Sequence, residues 1–561
     1  ALFRCDEIAY TLVPVNGKRD LERAFIENCG DQMRIVILIN CGATVSLVDF
    51  LSPSNDVIFF VIDSQRPFHL DNLRSTQNQL DQVRLLIRES EERILDDKIP
   101  DFDAIYGSDE SEEDEQEETG SQDSHHESGD ETEDGASRPS AKRTRVDVDA
   151  IAERAHRKQE RRKWHKARSD ILFRYYKFTE YSYSSALLLY ELAWRMSRDS
   201  SELLWLAIVG LTQQMLDCRI DNARYTLDFT DVQGHALRLK HSSALIDDGF
   251  VDHLRISVVQ NELQLAAYRR WTLYESLQHS LKTACRFRVW TSAHSRLKAF
   301  LVELGIPLRE CRQFFVSMNS EYQSNLREWI EEKLEKYKLK DLVYPSFEAK
   351  YGFGNALSAA DVACGVSAIL EHGLPSHPSE SVNERFMLAM DSLSRRKFCV
   401  LESGIEQHKQ LLRIIMDRVK SVVGLRKIVP MGQYLFVQLP ETSNNSWLLL
   451  PCSMKLLARY LLHAYVAEHQ NKNSYQKVLR LPLVLAIPVL RDDILWLIVI
   501  GIPPVNEEQE NSRNLFGAIF DAVSQAIGEQ YIVQDSFDSY IVELRAEAKE
   551  RFLSRLTAQL L

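Results

Sequence analysis

Two uninterrupted apolar runs near the start of the chain constrain its fold most strongly. Residues 35–39 and 57–62 consist only of Val, Ile, Leu and Phe, without the polar alternation of a half-exposed strand. Strands of this composition are buried on both faces, as in a parallel sheet covered by helices. About 18 residues separate the two runs, which is enough for a short crossover helix. The sequence therefore predicts an α/β fold with a parallel sheet.

Polar residues follow both runs, at the strand ends where the ligands of parallel sheets gather. Asn40 follows the first run, and Asp63, Ser64 and Gln65 follow the second. A two-metal hydrolase needs several carboxylates and imidazoles at such an edge. Asn40 is a weak ligand, Gln65 cannot replace an imidazole, and only Asp63 is of the right type. Because a single Asp at a strand end is also a common turn residue, we expect no working metal site here.

A later segment offers a further candidate for the same edge. Gln213 and Gln214 follow the apolar run at residues 203–211, and they supply amides rather than carboxylates. The chain has no G-x-x-x-x-G-K-[ST] motif, which excludes ATP binding by a Walker loop, and it has neither G-x-G-x-x-G nor G-x-S-x-G. No cofactor is expected.

Cysteine usage and hydropathy indicate a soluble intracellular protein. The nine cysteines are scattered and form no C-x-x-C pair, which argues against a disulfide framework and a Cys-rich zinc site. No apolar run reaches the ~18 residues of a membrane span. The chain opens with Ala1 and reaches a strand-like segment at residues 9–13. We therefore expect that a segment of one strand and one helix precedes it.

The charge of the chain is concentrated in one tract. Residues 109–134 contain fourteen Asp or Glu and no Lys or Arg, so the net charge of −13 leaves the remainder at +1. With almost no apolar residue to bury, this tract is expected to be disordered and to serve regulation or partner binding, or to act as a soluble spacer. Serines among or beside its acidic residues are candidates for acidophilic phosphorylation: Ser108, Ser111, Ser121, Ser124 and Ser128.

A basic stretch follows the acidic tract, and its second part is predicted to be helical. Its cations suit nuclear import or contact with nucleic acid, or they form a solvated helix that balances the acidic tract. The candidates are Lys142, Arg143, Arg145, Arg157, Lys158, Arg161, Arg162 and Lys163.

The remaining pattern divides the chain into three parts. A capped, buried helix is predicted at residues 184–194, so the acidic and basic stretches are an insertion in one α/β domain. Residues 236–385 have mainly helical spacing, at 256–277, 295–304 and 320–337, and a capping box at 358–361 precedes a helix at 362–370. Residues 386–561 mix helices with a hairpin of strands at 481–490 and 494–502, with Arg491, Asp492 and Asp493 in its turn.

Several short segments occur in a recognisable order along nearly the whole chain. They are ILINCGA (37–43), IFFVID (58–63) with Arg66-Pro67, ELAW (191–194), LW (204–205) with AIVGLT (207–212), NLRE (325–328), AMDSLSR (389–395) and VIGIPP (499–504). In these segments the chain resembles the cell division cycle protein 45 family, eukaryotic replication factors of the RecJ-like DHH phosphoesterase superfamily. The resemblance implies a DHH-like α/β domain over 1–235 with a truncated N-terminus and an insertion at 101–168. A helical interdomain over 236–385 and a DHHA1-like α/β domain over 386–561 follow.

The resemblance also implies how far the enzymatic motif has degenerated. The Asp-His-His motif of active relatives aligns with Asp63-Ser64-Gln65, another family aspartate aligns with Asn40, and a later aspartate ligand aligns at or near Gln213. The glycine- and histidine-rich substrate loop would fall near residues 511–520, where this chain has no His. The implied state is a noncatalytic domain without metal or cofactor.

The resemblance implies a role in the nucleus as a subunit of the replicative DNA helicase. Its implied partners are the MCM hexamer, the GINS tetramer, replication-initiation factors and, with modest affinity, single-stranded DNA. A metal-dependent single-strand exonuclease or phosphoesterase stays open as the alternative, because Asp63 is retained. A dedicated nucleic-acid binder is disfavoured, since the chain outside the acidic tract is nearly neutral.

Overall fold

The computed structural model divides the chain into two compact units, residues 1–88 with 178–561 and residues 89–177. It describes the chain except residues 1–2, 4–6, 30–32, 75–81, 107–147, 245–253, 292–294, 340–341, 352–355, 375–380, 471–472, 506–512, 529 and 561. The chain before and after the second unit thus belongs to one unit. The predicted boundaries near residues 235 and 385 stay predictions.

The parallel sheet predicted from the two apolar runs is confirmed. Its strands are β1 (Ile35–Ile39), β2 (Ile58–Ile62) and β4 (Val83–Leu85), in the order β1-β2-β4 with each pair parallel. Helix α2 (Leu47–Leu51) lies in the crossover between β1 and β2, as the spacing predicted. The same region also contains α1 (Lys18–Asn28), β3 (Gln65–Arg66) and α3 (Leu70–Arg74).

The second unit contains three helices among its described residues. They are α4 (Glu89–Lys98), α5 (Phe102–Tyr106) and α6 (Val148–Tyr176). The predicted basic helix is confirmed as α6, in which basic residues outnumber acidic ones.

The first unit resumes with a short strand and three helices. β5 (Glu180–Tyr181) pairs antiparallel with β3, and it is followed by α7 (Ser185–Arg195), α8 (Ser201–Leu216) and α9 (Asn222–Ala244). Helix α7 is the buried helix predicted at 184–194, with Ser184 at its N-cap position. In α8, the Ser200 hydroxyl accepts a hydrogen bond from the Leu203 N–H, and the helix then runs through the core.

The prediction of an all-helical block over residues 236–385 is wrong in one respect. Strands β6 (Leu254–Leu263), β7 (Val343–Tyr351) and β8 (Leu357–Ser358) form an antiparallel sheet within it. The predicted helix at 256–277 is therefore mostly β6 followed by α10 (Leu273–His279). The register of β6 shifts between Val259 and Glu262. A bulge of this kind breaks the two-residue alternation of a strand, so the apolar positions mimic helical spacing.

The other helices of the middle region agree with the predicted positions. Helices at 295–304, 320–337 and 362–370 are confirmed, although the last begins earlier than predicted. Ser358 is its N-cap residue but its side chain makes no capping hydrogen bond, whereas Ser381 and Glu384 form a reciprocal capping box. The helices are α11 (Leu281–Phe287), α12 (Ser295–Glu303), α13 (Leu308–Cys311), α14 (Ser320–Tyr337), α15 (Ala359–His372), α16 (Val382–Ser392) and α17 (Phe398–Gly424).

The C-terminal region is built on a six-stranded mixed sheet. Its order is β13 (Ile532–Val533), β14 (Ile541–Arg545), β12 (Ile494–Ile502), β11 (Leu483–Arg491), β10 (Leu435–Gln438) and β9 (Val429–Pro430). The predicted hairpin is confirmed as β11 and β12, with Arg491 paired to Ile494 across the turn. The helices here are α18 (Pro451–His469), α19 (Tyr475–Leu479), α20 (Phe516–Ile527) and α21 (Lys549–Leu560).

A continuous series of helix contacts connects the antiparallel sheet of β6, β7 and β8 with the six-stranded sheet, and it begins at α8, which lies against β6 and β7. Helix α8 packs on α15, α15 on α17, and α17 on α18, which lies against β11 and β12. Along the described parts of the chain, no helix is long and apolar enough to cross a membrane.

Candidate functional site

Asn40 and Asp63 lie side by side at the carboxyl edge of the parallel sheet. Ile39 pairs with Ile62 in the register of β1 and β2, and the Asn40 N–H donates to the Ile62 carbonyl at 2.9 Å. The two residues therefore occupy the ends of neighbouring strands, where sheet ligands are expected.

Asp63 is a buried turn residue. Its side chain is 1% exposed, and Oδ1 accepts a hydrogen bond from the Gln65 N–H at 3.0 Å. Among the described residues, Oδ2 has no hydrogen-bond partner. Burial raises the pKa of this carboxyl to about 6, although the Gln65 N–H and the charge of Arg66 act in the opposite direction. The ionised form of Asp63 is therefore energetically unfavourable in the folded protein.

Ser64 and Gln65 take part in structural hydrogen bonds. The Ser64 carbonyl accepts from the Ser182 N–H at 2.7 Å, and Gln65 pairs with Tyr181 in the β3–β5 bridge. The side-chain amide of Gln65 donates to Asp538 Oδ1 at 3.1 Å, far along the chain. Both residues are buried, so the second and third positions of the motif connect elements of the fold.

Asp538 is the centre of a hydrogen-bonded network that sequence analysis did not predict. Besides Gln65, Tyr181 donates its hydroxyl to Asp538 Oδ1 at 2.6 Å, and the Tyr181 and Tyr540 hydroxyl oxygens lie 3.1 Å apart. The Arg219 guanidinium lies 4.9 Å from the Tyr181 ring centroid. Because these contacts join segments remote in sequence, no local pattern could have identified them.

Asn40 is exposed and accepts a hydrogen bond from a residue of helix α7. Its backbone has a left-handed φ of 56°, a conformation that Asn tolerates better than most residues, and its Oδ1 accepts from the Ser185 hydroxyl at 2.6 Å. Ser185 is the first residue of α7, so the side chain of Asn40 connects the sheet edge to that helix.

Gln213 and Gln214, the further candidates for this edge, lie on a helix. Both are in the last turns of α8, where a long apolar run forms a buried helix rather than a strand. Within the described part of the chain, the Oε1 atoms of both residues are buried without a hydrogen-bond partner. No hydrogen bond among the described residues joins Gln213 to Asn40 or Asp63. The described residues also contain no group of three or more His, Cys, Asp or Glu placed to hold a metal ion.

Comparison with known proteins identifies the family of the chain. The CDC45 family matches residues 1–559. The chain belongs to the CDC45 family. It is 35% identical to the human protein named cell division control protein 45 homolog, over all of this chain and 93% of the human one. It is 23% identical to cell division control protein 45 of Saccharomyces cerevisiae, over 99% and 92% of the two chains. The CDC45 family functions in DNA replication.

The CDC45 fold is also found in a solved structure. The crystal structure of CDC45 from Entamoeba histolytica superposes with a TM-score of 0.63 at 19% identity, and the match covers all of this chain and 91% of that one. The similarity shows that this chain has the α/β fold of that CDC45 structure.

The basic and phosphorylation candidates of this CDC45 chain are placed only in part. Arg157, Lys158, Arg161, Arg162 and Lys163 lie on α6. Arg162 and Lys163 are exposed, and Arg168 lies 5.6 Å from the ring centroid of Trp164 on the same helix. Other candidates fall outside the described residues: Lys142, Arg143, Arg145, Ser108, Ser111, Ser121, Ser124 and Ser128, together with the acidic tract.

Proposed function

We propose that the chain is a noncatalytic subunit of the eukaryotic replicative DNA helicase, and that it joins the MCM motor and the GINS tetramer in the nucleus. Membership of the CDC45 family along the whole chain supports a role in DNA replication. The observation that carries the noncatalytic assignment is the hydrogen bond from Gln65 to Asp538, because the motif side chain is used to hold the fold.

The hydrogen bonds at the sheet edge support this assignment. Asn40 Oδ1 accepts from Ser185, and Asp63 Oδ1 accepts from the Gln65 N–H. A two-metal phosphoesterase needs several carboxylates and imidazoles directed at a shared centre. Here one carboxylate is retained, and each neighbouring side chain is an amide or a hydroxyl.

Reconstitution with purified MCM and GINS tests the assembly role. We expect the chain to co-purify with both in one complex, and the helicase activity of that complex to depend on its addition. An Asp63→Asn variant should restore unwinding as well as the unaltered chain, since a noncatalytic subunit needs no carboxylate at this edge. Failure of the chain to bind either partner would overturn the proposal.

One observation favours a metal-dependent single-strand exonuclease as the second candidate. Asp63 is retained at the edge of the sheet, with no hydrogen-bond partner at Oδ2 among the described residues. The test is digestion of single-stranded DNA in the presence of Mn²⁺, with the Asp63→Asn variant as control. Turnover that disappears in the variant would establish this function. Turnover equal in both proteins would identify a contaminating nuclease.

Binding of single-stranded DNA belongs to the proposal as a secondary property. Helix α6 carries Arg161, Arg162 and Lys163 in sequence, while the chain outside the acidic tract has a net charge of +1. A short basic run on a chain that is nearly neutral outside the acidic tract favours a modest affinity for single-stranded DNA, and this affinity should fall steeply as the salt concentration rises. Replacing Arg162 and Lys163 by Ser should weaken binding and reduce its salt dependence, whereas unchanged binding would exclude α6 as the contact.

The acidic tract and its serines are proposed to regulate assembly with replication-initiation factors. Deletion of residues 109–134 should change the rate or extent of complex assembly if the tract is regulatory. Assembly of the deleted chain at an unaltered rate would show that the tract is a spacer.

A further inference from the structure

A cavity with several cationic side chains lies next to the Asp538 network. Its volume is about 220 Å³, and its walls come from β5, α18, the end of β12 and the residue following α8. Lys455, Arg459 and His463 of α18 line one side, Arg513 lines another, and Asp217, which bears a carboxylate, is also part of the lining. The hydroxyl-bearing rings of Tyr181 and Tyr540 also face it. We call this space the basic cavity.

Two of the three cations are not neutralised by a carboxylate. Arg513 forms an ion pair with Glu180 at 2.9 Å. Among the described residues, Lys455 and Arg459 form no ion pair. The ammonium of Lys455 donates to the Tyr540 hydroxyl at 3.3 Å, and an Arg459 nitrogen donates to the Leu216 carbonyl at 3.3 Å.

The acidic groups near Lys455 are committed to other partners. The negative charges that act on its ammonium are those of Asp217 and Asp538, which favour the protonated form, whereas the positive charges of Arg219 and Arg459 oppose it. Asp217 lies 3.4 Å from Arg219, and Asp538 accepts from Gln65 and Tyr181. A cationic side chain removed from water without a close counter-ion destabilises a fold, so an anion in the cavity would be held strongly.

The chemistry and size of the space select a small oxyanion. Lysine and arginine recognise phosphate through charge-assisted hydrogen bonds, and the hydroxyl of Tyr540 offers a further polar group. A space of about 220 Å³ is smaller than the ~300–1,000 Å³ of sites for drug-sized ligands. We propose that the basic cavity is a phosphate-binding site that takes free inorganic phosphate or the phosphate of a small monoester.

Burial lowers the pKa of Lys455, and the positive charge of Arg219 acts in the same direction. A bound phosphate would favour the protonated lysine. This site is independent of the proposed helicase role, because it requires neither MCM nor GINS.

Thermal unfolding of the full chain with added ligand tests the site. Sodium phosphate is compared with sodium chloride at equal ionic strength, and adenosine monophosphate is tested in parallel. We expect phosphate to raise Tm progressively, with a Kd below about 1 mM by calorimetry. A stronger response to the monophosphate would identify a monoester as the preferred source, and a response to inorganic phosphate alone would identify the free ion.

Three variants test whether phosphate binds in the basic cavity. Lys455→Met and Arg459→Met should each weaken phosphate binding at least tenfold, while Lys477→Met, which removes an exposed cation of α19, should leave it unchanged. Without ligand, Lys455→Met should unfold at a temperature equal to or higher than that of the unaltered chain, since it removes a partly buried charge that has no ion-pair partner among the described residues.

Direct observation of the ligand covers the case in which a variant fails to fold. The ³¹P resonance of inorganic phosphate should broaden on addition of the unaltered chain and sharpen when excess pyrophosphate competes. The proposal is overturned if phosphate and chloride have equal effects on Tm and the resonance stays sharp. It is also overturned if Lys477→Met weakens binding as much as Lys455→Met does.

Discussion

Gln65 and Asp538 are 473 positions apart in the chain, and the side-chain amide of Gln65 donates a hydrogen bond to the carboxylate of Asp538 at 3.1 Å. Tyr181 donates to the same carboxylate oxygen. Gln65, which follows the second strand of the parallel sheet, therefore connects the parallel-sheet region to the C-terminal region. In this chain the edge of the sheet is part of the internal structure of one unit.

Removal of the Asp538 carboxylate should destabilise the chain. Asp538→Ala leaves the Gln65 amide and the Tyr181 hydroxyl without their acceptor, which costs about 1–3 kcal/mol of unfolding free energy. Urea denaturation measures the loss. Glu332→Ala, which removes an exposed carboxylate from α14, is the charge-matched control and should change the unfolding free energy by less than about 0.5 kcal/mol.

A double-mutant cycle measures the interaction energy between Gln65 and Asp538 separately from their other contacts. If Gln65 acts mainly through Asp538, the combination of Gln65→Ala with Asp538→Ala should cost less than the sum of the two single changes, by about 0.5–1.5 kcal/mol. Full additivity of the two changes would show that the hydrogen bond contributes nothing.

The sequence predicted the elements whose signal is local. The runs that became β1 and β2 needed only their composition, and the hairpin of β11 and β12 was marked by two apolar runs around Asp492 and Asp493. The strand β6 was mistaken for a helix because its bulge disturbs the alternation of apolar residues.

Only one feature of the candidate site, the adjacency of Asn40 and Asp63, was predictable from the sequence. The adjacency of Asn40 and Asp63 follows from the parallel register of two neighbouring strands. The role of Asp538 depends on a contact between distant segments, which no local pattern reveals. Contacts of this kind are set by the packing of the whole unit.

Asp63 should make the stability of the chain fall as pH rises. Burial raises its pKa in the folded state to about 6, so between pH ~4 and ~6 the folded chain holds a proton that the unfolded chain has lost. The stability that this proton provides is present below pH ~4 and is lost as pH rises through ~6. Asp63→Asn should therefore gain stability relative to the unaltered chain, from about zero at pH 4 to at most about 3 kcal/mol at pH 7.

The measurement is urea denaturation of both proteins across this pH range. The pKa of Asp361 is also raised to about 6, by burial, but that residue is present in both proteins, so the difference between the two curves isolates Asp63. A difference that does not vary with pH would contradict the prediction.

A single substitution in the turn between β11 and β12 should increase the stability of the chain. Asp492 and Asp493 have φ values of 50° and 60°, and Arg491 pairs directly with Ile494, so the loop is a two-residue type I′ turn. Glycine adopts this conformation without steric strain, and Asp493→Gly should stabilise the chain by about 0.5–1 kcal/mol in urea denaturation. The same replacement within α17, Asp417→Gly, should destabilise it by a similar amount, which shows that backbone conformation decides the sign.

Gly501 lies under the ring of Phe516 and should not accept a side chain. A Cβ at this position of β12 would lie 2.2 Å from Phe516 Cγ, and Phe516 is itself buried at the start of α20. Gly501→Ala should therefore cost about 1–3 kcal/mol of unfolding free energy through overpacking. Gly424→Ala is the matched control, because a Cβ at the end of α17 meets nothing within 4 Å, and it should stabilise the chain by about 0.5 kcal/mol. If the first loss is steric, adding Phe516→Leu to Gly501→Ala should cost less than Phe516→Leu costs alone in the unaltered chain, and an equal cost in both backgrounds would refute the steric explanation.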